Sequence, residues 1–99
     1  TRRLHAVDGP PRRVAESVGF AVREYIADRC ALASGAATTL EVLAALRERR
    51  VPQEQVDGVA HLLADCDQVT YAGGSDESTA DLAGRAASCI RRLEREPMR

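Results

Sequence analysis

Two stretches of helically spaced apolar residues meet at one corner, Arg50-Val51-Pro52, and no other feature of the chain restricts its folding as tightly. Upstream, Leu40, Val42, Leu43 and Leu46 recur at the intervals of a helix. Downstream, Val56, Val59, Leu62, Leu63 and Cys66 form a second stripe. Proline disfavours helical backbone in the residue before it, so the upstream helix must stop at Val51. The stretch from Thr38 to Tyr71 therefore reads as two helices joined by a tight turn, a signature of packing with no recognisable chemistry in it.

The flanking sequence supplies two more helices. Residues 1–9 read as irregular, and Pro10-Pro11 can open a helix, since proline is tolerated in the first turn. Val14, Val18, Val22, Tyr25 and Ile26 then set a helix over 12–31. Gly19 either weakens its middle or lets another helix approach closely. Ser34-Gly35-Ala36-Ala37 reads as a loop. Thr38 is a good N-cap, and Glu41 completes a capping box. This second helix runs to Arg49, and Arg47, Arg49 and Arg50 complement the dipole at its end. A third helix is expected over 53–67, with Gln68 to Ala72 extended and placing Tyr71 against the core. Gly73-Gly74 breaks the chain. Ser78 with Asp81 approximates another capping box for a helix over 78–95, with Leu82, Ala86, Cys89, Ile90 and Leu93 inward and Pro97 at its end.

Composition agrees with an all-α domain. Ala, Leu, Glu and Arg favour helix, and the only aromatics are Phe20, Tyr25 and Tyr71, so the core must be aliphatic. Ninety-nine residues make one domain, expected over 12–96 behind a basic tail at 1–11. The net charge of -1 gives no global field that would draw nucleic acid. Its distribution is uneven: Arg2, Arg3, Arg12 and Arg13 against Asp8 leave residues 1–13 at +3, and ten Arg against fourteen acids leave the rest at -4. All fourteen basic residues are arginine, which excludes Schiff-base or general-base chemistry by lysine. Cys30, Cys66 and Cys89 are odd in number and widely spaced, unlike a disulfide framework or a zinc knuckle, and read as small apolar residues in reduced form. No apolar run approaches the ~18–20 residues that span a bilayer. The chain begins at Thr, and a fragment of a longer protein is expected.

Candidate chemistry fails on spacing. His61 lies five residues before Cys66, whereas zinc ligands on one helix face want three or four, and no second pair exists, so neither a metal nor a cofactor is expected. A calcium loop counted from Asp65 places Val69 fifth, Thr70 where glycine belongs and Asp76 where glutamate belongs. Gly73-Gly74-Ser75 lacks the lysine and the frame of a phosphate loop, and it precedes the fourth helix rather than the second, where a carrier-protein serine would sit. No thiol has the setting of an activated nucleophile, and an enzyme is not expected. A DNA-binding helix-turn-helix would need a basic start to its recognition helix, but the third helix holds Glu54, Asp57, Asp65 and Asp67 and no Arg.

The strings REYIADR, TTLEVLAALRERRVP, LLADCDQVTYA and a last helix carrying IRRLE resemble, over residues 15–95, the C-terminal cytoplasmic domain of BatD-type proteins of the Bacteroides aerotolerance operons. Its most specific parts are the Thr38/Glu41 helix start, the Val51-Pro52 corner and Cys66-Asp67 followed by Tyr71. The resemblance implies a non-catalytic helical domain on the inner side of the bacterial membrane, behind a single span. It also implies partnership with a MoxR-type AAA ATPase and von Willebrand factor A-domain proteins. The family often has Gly where this chain has Arg50, which would be strained in a left-handed conformation. It usually has Leu where this chain has Ala37, which weakens a hydrophobic staple. The +3 tail lies where a span would precede the domain, which supports that placement, and a solvated leader is the other reading of it.

The expectation is a compact four-helix domain with a tight helix 2–helix 3 corner, working as a protein-interaction module. The alternatives are a stand-alone helical adaptor or a helix-turn-helix DNA-binding domain. The expected contact surface is Phe20 with the corner arginines Arg47 and Arg50. Phe20 lies off the main stripe of its helix and could anchor an interface or pack under the last helix.

Overall fold

The periodic stretches form four α-helices in a computed structural model that describes residues 10–32 and 38–96, Asp76 by its backbone alone. They are α1 (Pro11–Arg29), α2 (Thr39–Glu48), α3 (Gln53–Ala72) and α4 (Asp76–Glu94), and no strand occurs among the described residues. The fold is the expected all-α four-helix domain. The tail over 1–9, the loop containing Ser34 to Ala37 and the stop at Pro97 lie outside the described residues.

Local chemistry sets the helix ends. Glu41 donates its backbone N–H to Thr38 Oγ1 at 3.2 Å, and Thr38 donates its own to Glu41 Oε1 at 2.8 Å, so the capping box at α2 is complete. At the other end of α2, Val51 N–H donates to the Leu46 carbonyl at 3.1 Å and Arg50 N–H to that of Arg47 at 3.0 Å. This is a Schellman closure, with Val51 and Leu46 both buried in the core beneath it. It forces Arg50 to φ 62, the strain expected of a residue standing where glycine is usual. The same closure ends α1, where Ala31 sits at φ 58 and Leu32 N–H donates to the Ala27 carbonyl at 2.8 Å. Replacing Arg50 by Gly should therefore raise stability by about 1 kcal/mol in urea unfolding, since relief of left-handed strain outweighs the added chain entropy.

The third helix corrects the expected boundary. It does not stop at residue 67 but runs to Ala72. Val69 extends the stripe of Val59, Leu62 and Cys66 by one more step and is buried, and Thr70 satisfies its hydroxyl within the helix by donating to the Cys66 carbonyl at 2.8 Å. In an extended segment, Val69 and Tyr71 would share a face. In a helix, two positions are about 200° apart, so burying Val69 turns Tyr71 outward, where it is 86% exposed. Tyr71 does not dock on the core. Gly73 ends the helix at φ 89, and Gly74 lies so close to Val69 that a Cβ there would stand 3.0 Å from its Cγ1. The next helix starts at Asp76 rather than Ser78, because Ser75 is the cap and its Oγ accepts from Ser78 N–H at 3.1 Å. Three further apolar residues placed inward from sequence differ: Leu40 is 78% exposed, and Cys89 and Ile90 are half-buried.

α1 and α3 form the central pair, each packing on all the other helices, whereas α2 and α4 barely meet. The core between them is aliphatic, built on Val22 and Ile26 of α1, Val42 and Leu46 of α2, Leu62 and Leu63 of α3 and Leu82 and Leu93 of α4. Gly19 marks the close passage of α1 over α3: a Cβ there would lie 3.5 Å from Cys66 Cβ. Of the two roles open for Gly19, close approach is the one realised.

Candidate interaction surface

At one end of the bundle three helix C-termini collect, and side chains tie them together. Arg49, the C-cap of α2, donates Nη2 to the Cys30 carbonyl at the end of α1 at 2.6 Å. Gln55 at the start of α3 donates Nε2 to Glu96 Oε2, just past α4, at 2.9 Å. Arg29 donates Nη1 to Tyr25 Oη at 2.6 Å and lies 5.7 Å from the centroid of that ring. Cations beside helix C-termini oppose the partial negative charge of the exposed carbonyls. Arg49 therefore has a structural task, and its neighbours Arg47 and Arg50 are left exposed at the corner.

Phe20 is 52% exposed on α1. It precedes Cys30 by ten residues, or about 15 Å of helix, so it does not converge with the Arg47/Arg50 corner into one patch. Two further exposed apolar side chains, Leu40 at the start of α2 and Tyr71 at the end of α3, were missed from sequence. Their signal was present: each stands two positions from a buried residue, Val42 and Val69 respectively, and so faces the other way.

The remaining polar groups are structural or solvated. Arg85 of α4 donates to Asp65 of α3 at 2.7 Å and lies 3.6 Å from Asp81, and these carboxylates hold its pKa above the ordinary arginine value. His61 is exposed and lines an open groove of about 540 Å³ between α3 and α4, together with Gly58, Gly84, Ser88, Cys89 and Arg92. No cluster of three or more His, Cys, Asp or Glu poised to hold a metal ion occurs among the described residues. Burial pushes the Cys66 thiol up to about 11, with Asp67 adding to the effect, and burial also raises Cys89. These thiols stay protonated near neutrality, the opposite of what nucleophilic chemistry needs. Access separates the three cysteines: Cys30 and Cys66 are buried, and Cys89 is partly open. Native protein treated with iodoacetamide should modify Cys89 alone, read by mass spectrometry, and all three thiols should react in urea.

No helix among the described residues is long and apolar enough to cross a membrane. No known family model, curated protein or solved structure matches the chain.

Proposed function

We propose that this chain is a non-catalytic protein-interaction domain, the helical part of a BatD-type single-pass membrane protein, acting at the cytoplasmic side of the bacterial inner membrane. The observation that carries the interaction reading is the exposure of Phe20, Leu40 and Tyr71 on a domain that has an aliphatic core to bury them in. Aromatic side chains such as Tyr71 are among those enriched at the anchors of protein interfaces. The partners, a MoxR-type AAA ATPase and von Willebrand factor A-domain proteins, rest on the resemblance, and the placement at a membrane rests on it and on the four arginines among residues 1–13. The nucleic-acid alternative meets exposed acids at Glu54, Asp57 and Asp67 on the helix that would have to approach phosphates.

Calorimetric titration of each candidate partner into the chain tests the reading. Binding is expected, and the Phe20→Ala, Leu40→Ala, Tyr71→Ala triple variant should weaken it by about tenfold or more, the size of losing one anchor residue. Absence of binding to either partner at roughly 100 µM would overturn the assignment of partners. Binding that the triple variant leaves intact would overturn the assignment of the surface.

A further inference from the structure

Helix α4 buries Thr79, Leu82, Ala86 and Leu93 and turns its other side outward. Along the centre of that outward side, at steps of three and four residues, come Glu77, Ala80 with Asp81, Gly84, Ala87 with Ser88, Arg91 and Arg95. Acid stands at one end and arginine at the other, and the middle is small residues apart from Asp81, which lies 3.6 Å from Arg85 of the same helix. The helix dipole accounts for the signs at the two ends. It does not account for the middle, because an exposed helix face ordinarily carries long polar side chains, and glycine in a helix interior costs about 1 kcal/mol relative to alanine. Packing within the chain does not require Gly84 either, since a Cβ there would meet no atom within 4 Å. The groove of about 540 Å³ between α3 and α4 runs beside this face, and Gly58 on its far wall likewise has no atom within 4 Å of a Cβ position.

The order of charges selects what fits. Turned end for end, the outward face of α4 is its own electrostatic complement, so the chemistry that matches it best is a second copy of itself. We propose that two copies of this chain associate through α4, packed antiparallel about a two-fold axis at Gly84. Ala80 of each copy then meets Ser88 of the other, and Glu77 meets Arg91, both pairs being symmetric about position 84. A two-fold contact makes each pair twice, and the small residues allow the helices to approach to about 8 Å, the short end of the range for packed helices. This goes beyond the interaction surface above, since Phe20, Leu40 and Tyr71 take no part in it.

A contact built on one helix and its adjoining groove falls near the lower limit of specific interfaces, about 1,000 Å². The dimer is accordingly expected to dissociate with a Kd on the order of 10–100 µM. Sedimentation velocity on the 99-residue chain across that range tests it. Glu77→Arg and Arg91→Glu should each weaken association by about tenfold or more, because like charges then face each other twice. An equimolar mixture of the two variants should restore it, since both facing pairs in the mixed dimer regain opposite sign. Gly84→Glu should abolish association, and circular dichroism melts should show all three variants folded, as the positions are exposed. A chain that stays monomeric up to about 1 mM, or a dimer indifferent to the single reversals, or a mixture that restores nothing, would overturn the proposal.

Discussion

Leu62→Ala should cost about 2–5 kcal/mol of unfolding free energy, the range for deleting a buried leucine from a packed core. Leu62 is fully buried on α3, one of the two helices that pack on all the others, so no single neighbour can close over the space it leaves. A domain of this length is stabilised by roughly 5–15 kcal/mol in total, so the variant should lose a large share of its margin. Since about 1 kcal/mol shifts the midpoint of a domain this size by ~4–8 °C, its melting temperature should fall by at least about 8 °C. Leu40→Ala makes the same chemical change at an exposed position of α2 and should stay within about 0.5 kcal/mol. If the two substitutions cost the same in urea unfolding, the division between core and surface is wrong.

Alkaline pH should destabilise the protein through Cys66. Burial raises this thiol from 9.0 to about 11 in the folded state. Below the unfolded value both states carry the neutral thiol, and stability is complete. From there up to the folded value only the unfolded chain releases the proton, so unfolding becomes steadily more favourable as pH rises. The loss grows by about 1.4 kcal/mol per pH unit in that window and reaches on the order of 2 kcal/mol at its upper end. Cys66→Ala should be less stable at neutral pH but should lack this slope. Because the tyrosines and the other thiols titrate in both proteins, the difference between the two pH profiles isolates Cys66. Parallel profiles would contradict its burial as an intact thiol at the α1–α3 crossing.

Much of the architecture was legible in the residues because it rests on short-range devices. The Thr38/Glu41 box, the break before Pro52 and the left-handed Arg50 each depend on a few consecutive positions and hold as read. The end of α3 was misread for a definite reason. Over five residues, apolar spacing fits either an extended segment or one more helical turn, and the outcome turned on whether Val69 or Tyr71 would be buried. The core took Val69, and geometry then put Tyr71 in solvent. Leu40 was misplaced in the same way, by counting it with Val42 when the helix sets the two on opposite sides.

The candidate surface was legible only in part. Phe20 could be picked out because Ala15, Val22 and Ile26 define the buried side of α1 and it lies off them. Arg47 and Arg50 were rightly read as corner residues, but their distance from Phe20 depends on how α2 seats against α1, which no local pattern encodes. The groove between α3 and α4 was invisible for the same reason. Gly58 and Gly84 are separated by a full helix-turn-helix passage in sequence, and their relation exists only once the two helices have packed.

An aliphatic core holds the fold, and Phe20, Leu40 and Tyr71 stand outside it. Urea unfolding of the triple alanine variant beside the wild type tests this most directly. The expected result is a change within about 1 kcal/mol overall and an unaltered dependence on urea, as for exposed positions. A loss of about 3 kcal/mol or more, the scale of core deletions, would place these side chains in the core and contradict it.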